Sequence, residues 1–564
     1  MNFKKSIANA VSKASGEPIG KITKLIEVPP EKTLGDFSVP CFALAKGTNP
    51  AEKAAELMEK ISKPKFVLEI KTAGPYINFF LDETVFSKEC IESVLNEKDS
   101  YGTSETGKGK NILIEYSAPN TNKPLHVGHL RNDCIGMSVS NLFEFTGHNV
   151  TKANLVNDRG IHICQAMLSY MKFANGKTPQ SEGMKGDKFV GDYYVKFNKE
   201  VKENPALQEE AGELLRKWEK KDPDTIKLWK EMRSWVLDGF NETYEKFGSR
   251  FDELFFESDF YEKAKPLIDL GLKKGVFEKN EEGAIIAKLK QHGLSDKVVL
   301  RADGTSIYLT FDLALTKHKQ EAFKLDKNIW CIASEQNLYM KQLFKVLELL
   351  GFAWSKNCEH LSYGLVFLPE GKMKSREGKV IDADDLLKEV QTIALNEIKK
   401  RYTELSEKES TERAKAIALA AINFAMLRID HKKDFTFVPE QSLSFEGESG
   451  PYLQYTYARC KSILRKAGKS KKPDFKQLTG EKEKELLKLL IAFPETLNKA
   501  LEARSPHIIC HFLLELASAF NAFYHETRVI GSEAEQARLA LVEAVSIVLK
   551  NGLNVLNIPV LEEM

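Results

Sequence analysis

The sequence predicts an α/β protein in three parts: a central doubly wound parallel sheet with crossover helices, a small α+β domain before it, and an all-α helical bundle after it. Three observations carry that prediction. From Asn111 onward, short apolar strands alternate with helix-length stretches, the pattern of parallel strands joined by helices. Before about residue 105, helical spacing gives way to two strand-like runs. Beyond about residue 384, only helical periodicity remains. We therefore expect the α+β part over 1–105, a Rossmann-type sheet domain over 106–383 with an insertion at about 175–300, and the bundle over 384–564.

In the first part, Ile7 and Val11 share a helix face, and so do Ile19, Ile22 and Ile26 after Pro18. Ala43, Ala45, Ala51, Ala54, Ala55 and Met58 continue a helical spacing after the Gly35-Asp36 turn. Residues 66–70 and 76–81 read as strands joined by a turn at Gly74-Pro75. The polar run 96–110, with Gly102, Gly107 and Gly109, reads as a linker. In the second part, 111–116 is a short apolar strand. A loop with two prolines follows it, then a helix from His126 to about Gly147. Residues 150–156 form a second strand, with a helix from about Gly160; strand 328–333 and helix 338–351 repeat the unit. The charged stretch between them, containing Trp and Tyr, supplies the insertion. In the third part, Leu-, Ala- and Glu-rich runs recur at 411–430, 452–467, 481–503, 506–527 and 532–552, as in a helical bundle.

Composition bounds the function class. The chain has 564 residues, 42% hydrophobic and 29% charged, enough to bury sizeable cores. Lys and Arg number 82 against 80 Asp and Glu, a net charge of +2. A protein basic all over is excluded, although a local basic face suffices for nucleic acid. The eight cysteines (Cys41, Cys90, Cys134, Cys164, Cys331, Cys358, Cys460 and Cys510) form no C-x-x-C pair. Bound zinc is therefore not expected, and their scatter suits reduced thiols in the cytoplasm. The first twenty residues hold no apolar run of signal-peptide length, and no stretch reaches the roughly 18 apolar residues of a membrane span. A cytoplasmic monomer is the expectation, since each helical stripe can be buried within the chain.

Residues 117–132 follow the first strand of the sheet and open a helix, which is where nucleotides bind in a doubly wound fold. A helix start offers phosphate its unpaired N–H groups and the positive end of the dipole. His126 and His129, three apart, share a helix face. Each can donate to phosphate oxygens, and either could be cationic near neutral pH. Gly128 leaves room for a flat base against the backbone. Two histidines at this spacing also suit a metal pair, so the motif alone does not decide. A second run, Glu370-Gly371-Lys372-Met373-Lys374-Ser375-Arg376-Glu377-Gly378-Lys379-Val380, sets cations between glycines. It suits a loop that closes on pyrophosphate, or, taken alone, a solvated turn.

Together, His126-Val127-Gly128-His129 and Lys372-Met373-Lys374-Ser375-Arg376 resemble the "HIGH" and "KMSKS" signatures of class I aminoacyl-tRNA synthetases, in order and in wide separation. The surrounding residues narrow the resemblance to the arginyl-tRNA synthetase family: S-A-P-N-T-N-K-P-L-H-V-G-H-L-R at 117–131, Val156-Asn157-Asp158-Arg159-Gly160, Phe189-Val190-Gly191-Asp192-Tyr193-Tyr194, residues 301–310, Gly450-Pro451-Tyr452-Leu453-Gln454-Tyr455 and Phe520-Asn521-Ala522-Phe523-Tyr524. The similarity runs from about Gly35 to Met564. Lys374 and Ser375 depart from the second signature. Lys123 occupies the place of a lysine that the family often has before the first, and Phe311 stands where many relatives have arginine.

The resemblance implies activation of L-arginine by ATP and its transfer to tRNA(Arg), with Mg2+ bound on the ATP phosphates. It implies that His126, His129, Lys123, Lys372, Lys374 and Arg376 stabilise the reacting phosphates, and that Gly128, Met373 and Ser375 join the histidines in binding ATP. Asn120 and His129 would hold the backbone end of arginine. Tyr308, Asp312 and Gln336 would line its pocket, with Glu257 reaching the guanidinium. The bundle resembles the family's anticodon-binding domain; there Tyr452, Tyr455 and Tyr457 near Arg459 offer stacking and cation–π surfaces. Tyr76 and Asn78 match the module that touches the tRNA elbow. The family often needs tRNA bound before it activates arginine. An inactive scaffold is opposed by the intact His126, His129, Asn120 and Asp312. An adenylyl-transferring enzyme without tRNA leaves both flanking domains unexplained. The cysteine synthetase needs a Cys/His zinc set that the sequence does not show.

Overall fold

A computed structural model describes residues 3–29, 31–302, 308–367, 381–402, 404–467 and 472–564. In the N-terminal part, helices α1 (Phe3–Ser15) and α2 (Ile19–Leu25) precede an antiparallel sheet of β1 (Phe37–Pro40), β2 (Val67–Ala73) and β3 (Tyr76–Leu81), with β3 central. Ile7, Val11, Ile22 and Ile26 are buried, but Ile19 is exposed. The helix expected from Ala43 is broken. Lys46 and Gly47 turn left-handed (φ 44° and 93°), and α3 (Pro50–Lys60) starts afresh under an Asn49 cap. β1 and the helix α4 (Glu83–Glu97) are elements the sequence reading did not contain. The stretch read as a linker is pinned to the C-terminal helices. Tyr101 donates its hydroxyl to the Leu490 carbonyl (2.9 Å), and a Cβ at Gly102 would lie 2.8 Å from Phe493.

The central sheet is parallel. Its strands are β4 (Asn111–Glu115), β5 (Asn149–Val156), β6 (Glu253–Phe256) and, after an antiparallel sheet of β7 (Phe277–Lys279), β8 (Ile285–Ala287) and β9 (Lys297–Leu300), β10 (Lys327–Ala333) and β11 (Cys358–Tyr363). The spatial order is β11-β10-β4-β5-β6. The chain therefore builds outward from β4 in one direction and returns to build outward in the other, placing a topological switch point between β4 and β10. β6 lies within the stretch 175–300 read as an insertion, so that stretch also supplies an edge strand of the main sheet. Its remainder holds α7 (Pro179–Glu182), α8 (Gly186–Glu203), α9 (Ala206–Glu219), α10 (Pro223–Phe247), α11 (Lys265–Lys273) and the small sheet.

Helix α5 (Val127–Phe145) joins β4 to β5, and α6 (Ile161–Phe173) follows β5. α12 (Tyr308–Phe323) precedes β10, and α13 (Asn337–Leu349) follows it. α5 is buried on nearly every face, because the sheet covers one side and the bundle the other. That bundle contains α14 (Ala383–Arg401), α15 (Glu407–Leu427), α16 (Pro439–Ser442), α17 (Gly450–Lys466), α18 (Glu481–Ala503), α19 (His507–Glu526) and α20 (Glu535–Val555). The Gly450-Pro451-Tyr452 start of α17 is a packing device: a Cβ at Gly450 would lie 2.1 Å from the Ala420 carbonyl oxygen. Two-residue strands β12 (Val366–Phe367) and β13 (Phe435–Thr436) pair where sheet and bundle meet. Fully buried Arg131 of α5 donates there to the carbonyls of Leu365 (3.0 Å), His431 (3.2 Å) and Lys433 (2.7 Å). Among the described residues, no helix is long and apolar enough to cross a membrane.

Candidate active site

Parallel strands end with their carbonyl edge facing loops, so the loops after β4, β5, β10 and β11 converge on one rim. A cavity of about 680 Å3 lies there, touching Glu115, Leu155, Ala333 and Tyr363 at or near the ends of those four strands. Asn120, His126, Gly128, His129, Tyr308, Asp312 and Gln336 all line it. Residues about 200 positions apart in sequence are thus brought to the switch point of the sheet.

The loop after β4 is held by side-chain amides. Ser117 N–H donates to Asn132 Oδ1 (2.9 Å) and Ala118 N–H to Asn154 Oδ1 (3.1 Å). Asn157 returns a bond to the Ala118 carbonyl (3.2 Å). These bonds sustain positive φ at Ser117 and Ala118 (74° and 51°), a conformation that costs of order 1 kcal/mol or more per residue and concentrates at working sites. Lys123-Pro124 is buttressed by α8: a Cβ at Gly191 would lie 2.8 Å from Pro124 Cδ, which explains the Phe189-Val190-Gly191 motif sterically.

His126 is the N-cap of α5. Its Nδ1 accepts from Gly128 N–H (3.2 Å), while His129 Nδ1 accepts from His126 N–H (3.1 Å), a capping box made of two imidazoles. Because each Nδ1 accepts from a backbone N–H, each neutral ring carries its proton on Nε2 and keeps that N–H for a ligand. The rings lie 3.9 Å apart. Burial and then the nearby Lys123 push His126 down to about 3; burial, His126 and Lys123 hold His129 well below its ordinary value. The pair is therefore neutral at pH 7, which corrects the expectation that either could be cationic. Gly128 is required by the cap as well as by any ligand, since an added Cβ would lie 3.0 Å from the His126 ring.

On the other elements, Asp312 of α12 accepts from the Tyr339 hydroxyl of α13. Burial drives the Asp312 carboxyl up to about 7, against the Tyr339 bond that lowers it, with Glu115 raising and Lys319 lowering it further. Glu115 and Lys319 form a fully buried ion pair beneath the cavity. Tyr308, one turn before Asp312, is 59% exposed, whereas Phe311 is buried in the core against the sheet. Gln336 sits in the turn between β10 and α13. Glu257 does not line the cavity; it is buried after β6, 3.8 Å from Arg159, and burial pushes it up to about 8. Tyr339, Asn132, Asn157 and the Glu115–Lys319 pair escaped the sequence reading. Tyr339, Glu115 and Lys319 stand on helices and a strand end with no local motif, while Asn132 and Asn157 fell inside the 117–132 and 156–160 runs without a role assigned to them. Lys372, Met373, Lys374, Ser375 and Arg376 lie outside the described residues.

A second cavity, of about 890 Å3, lies in the bundle and is lined by Arg413, Tyr455, Arg459, Arg465, Tyr524 and Arg528 among others. The Arg459 guanidinium lies 4.7 Å from both the Tyr455 and Tyr524 rings and bonds Tyr455 and Asn521. Tyr452 is half-buried and accepts from Asn521 (2.9 Å). Tyr457 is 4% exposed and packs inside the bundle, so it offers no stacking face. In the N-terminal sheet, Tyr76 lies half-buried against exposed Phe42. Asn78 is buried and accepts from Ser38 Oγ (2.7 Å), because β3 is the central strand and turns it inward.

Comparisons with known proteins agree along the chain. Residues 90–438 match the family profile "tRNA synthetases class I (R), catalytic domain", residues 453–564 the "DALR anticodon binding domain", and residues 1–81 the "Arginyl tRNA synthetase N terminal domain". The arginine–tRNA ligase of Treponema denticola is 43% identical, with 100% of this chain and 99% of that protein covered. That of Borreliella burgdorferi is 40% identical over 96% of this chain and 94% of that protein. The solved arginyl-tRNA synthetase of Thermus thermophilus superposes with a TM-score of 0.85 at 26% identity, all of both chains being covered. The Plasmodium falciparum structure, 19% identical and covered to 99%, shares the fold with a TM-score of 0.80 over 100% of this chain. With three family profiles in order along its length and relatives at about 40% identity from end to end, the chain belongs to the arginyl-tRNA synthetase family of class I aminoacyl-tRNA synthetases.

Proposed function

We propose that this chain activates L-arginine with ATP and then transfers it to the 3′-terminal ribose of tRNA(Arg). In the first step a carboxylate oxygen of arginine attacks the α-phosphorus of ATP, the bond to the bridging oxygen breaks, and arginyl-adenylate and pyrophosphate form. In the second step the ribose hydroxyl displaces AMP. Little proton transfer is needed at the first step, so positioning and stabilisation of phosphate charge do most of the work. The observation that carries the reading is the cavity that joins two neutral, Nε2-protonated histidines at a helix start to the Asp312–Tyr339 carboxylate.

His126 and His129 donate to phosphate oxygens from Nε2 without bringing a charge that must be desolvated. Lys123 supplies charge beside them, with Lys372, Lys374 and Arg376 the further candidates. Gly128, Met373 and Ser375 complete the ATP site. Mg2+ would be carried on the triphosphate oxygens, whose charge it neutralises; of the cavity carboxylates, Glu115 and Asp312 are engaged by Lys319 and Tyr339. Asn120 and His129 take the backbone end of arginine; Tyr308, Asp312, Gln336 and, from behind, Glu257 take its side chain. A guanidinium is planar, permanently charged and rich in donors, which suits fixed carboxylates better than the compact ammonium of lysine. The tyrosine- and arginine-lined cavity at Tyr455 and Arg459, with Tyr452 on the neighbouring groove, takes splayed tRNA bases, and Tyr76 contacts the tRNA elbow. We place the protein in the cytoplasm as a monomer; its eight unpaired cysteines suit a reducing compartment. Incubation with ATP, labelled arginine and tRNA(Arg) should yield acid-precipitable arginyl-tRNA and AMP in equal amounts. Absence of charging by a folded preparation refutes the proposal.

A further inference from the structure

Of the buried polar atoms without a hydrogen-bond partner among the described residues, three fall in one cluster away from the phosphate site: Arg159 Nε, Trp218 Nε1 and Glu257 Oε2. Two neighbouring strands build that cluster. β5 and β6 run parallel with Val156 beside Phe256. Just beyond them the Asp158 carboxylate accepts from Ser258 N–H (2.9 Å), Ser258 Oγ (2.8 Å) and Arg233 Nη1 (2.8 Å). Zipping 158 to 258 sets Arg159 of one loop against Glu257 of the other.

The Arg159 guanidinium lies 4.4 Å from the Tyr261 ring and 5.4 Å from the Trp218 ring, so two aromatic faces fix its plane. Its Nη2 donates to Glu219 Oε1 (3.0 Å), while its Nη1 stops 3.8 Å short of Glu257 Oε1. Glu257 is thus a buried carboxyl with a cation beside one oxygen, at ion-pair but not hydrogen-bond distance, and, among the described residues, no hydrogen-bond partner on the other. The groups that act on it are few. Arg159 favours its charged form; Asp158 and Asp312 disfavour it; the Tyr308 and Tyr339 hydroxyls of α12 and α13 feel it in turn. Glu219 acts through Arg159. Asn157, two residues before Arg159, lines the cavity, so Glu257, one residue beyond Phe256 beside Val156, sits at the β5–β6 side of the same rim.

We infer that Arg159 is a specificity-determining positioning residue: clamped against the Tyr261 and Trp218 rings, it sets the buried Glu257 carboxyl, with one oxygen unpartnered among the described residues, to receive a guanidinium and not a neutral isostere. This rests on the assignment of the cavity to arginine. The exchange balances: Glu257 as a carboxylic acid loses one proton to solvent as the cationic guanidinium arrives, leaving a carboxylate–guanidinium pair. A neutral side chain gives no compensation for that proton. With Arg159 present, the carboxyl titrates at about 8, close enough to neutral pH for the exchange to run. Without it, burial and the two aspartates act unopposed, and each further pH unit costs roughly tenfold in arginine affinity at pH 7.

The test is KM for arginine in ATP–pyrophosphate exchange from pH 6 to 9, in wild type and in Arg159→Met, Arg159→Lys, Glu219→Gln and Glu257→Gln. We expect Arg159→Met to raise KM for arginine at pH 7 by roughly tenfold or more and to move its falling limb to higher pH, with KM for ATP and kcat nearly unchanged. Lysine should restore part of the shift. Glu219→Gln, which leaves Glu257 as the nearest carboxylate to Arg159, should move the limb to lower pH. In the Glu257→Gln background, Arg159→Met should add nothing. Superimposable pH profiles for wild type and Arg159→Met overturn the inference, and so does a Glu219→Gln profile that does not move, which covers the case of a methionine variant that fails to fold. No arginine-dependent exchange by wild type, or a Glu257→Gln variant with unaltered KM, refutes instead the pocket assignment beneath it.

Discussion

Substituting alanine for Gly128 separates the fold of the histidine motif from its chemistry. The new Cβ would lie 3.0 Å from Cε1 and 3.1 Å from Nδ1 of His126, where ordinary contact is 3.4–4 Å, so the ring must shift by several tenths of an ångström. The same Nδ1 accepts the Gly128 N–H, and losing that bond removes an N-cap contribution of about 1 kcal/mol. Alanine offsets this, because it favours a helix over glycine by about 1 kcal/mol. Stability should therefore stay near wild type. Rate should not. Misplacement of a reacting contact by about 1 Å costs on the order of 100-fold, and loss of one aligned donor to developing phosphate charge costs a similar factor of about 10² to 10³. In ATP–pyrophosphate exchange, Gly128→Ala should lower kcat about 100-fold while KM for arginine moves by less than roughly threefold, and Tm should shift by only about 2 °C. A kcat within roughly threefold of wild type, or a loss of rate explained by a large fall in Tm, would refute the reasoning.

Other outcomes follow from the same geometry. Arginine affinity should rise with pH through about 7 as Asp312 ionises, and Tyr339→Phe, which removes the hydrogen bond that lowers that carboxyl, should move this limb to higher pH in a KM–pH titration. Citrulline keeps the shape of arginine but not its charge; kcat/KM for it should be lower by at least roughly 100-fold, about 3 kcal/mol, in an aminoacylation assay, and equal use would remove the carboxylates from the pocket. Arg459→Ala should raise KM for tRNA by roughly tenfold at moderate salt with little change in Tm. Tyr457→Ala should instead destabilise the chain by about 3–5 kcal/mol in denaturant unfolding, as expected for a buried aromatic.

Much of this protein was legible in its sequence, for reasons that differ from part to part. β4, β5, β10 and helices α15 and α17–α20 were readable because long apolar periodicities in the sequence match elements that bury a whole face. β6 was missed because four residues after a 25-residue helix carry no periodic signal; its strand state is set by pairing with β5, a hundred positions away. β1, ending in proline, is likewise defined by β3. The stretch 96–110 looked like a linker because its composition is polar, yet Tyr101 and Gly102 are held by residues nearly 400 positions later. At the site, His126, His129, Asn120, Tyr308, Asp312 and Gln336 do converge. What the sequence concealed was their protonation: histidine spacing says nothing of burial, and burial together with the backbone N–H bonds keeps both rings neutral. Asn78 and Tyr457 show the same limit from the other side, since a motif position does not reveal which face of a strand or helix turns inward.

ATP–pyrophosphate exchange run over the standard amino acids, with and without tRNA(Arg), decides whether this pocket activates arginine. Exchange is expected with arginine and at least roughly 100-fold less with every other amino acid, lysine included, and near-complete loss in a His129→Ala variant that stays folded, the lost cap bond costing it only about 1 kcal/mol. Comparable exchange with a second amino acid, or a His129→Ala variant that turns over like wild type, would contradict this expectation.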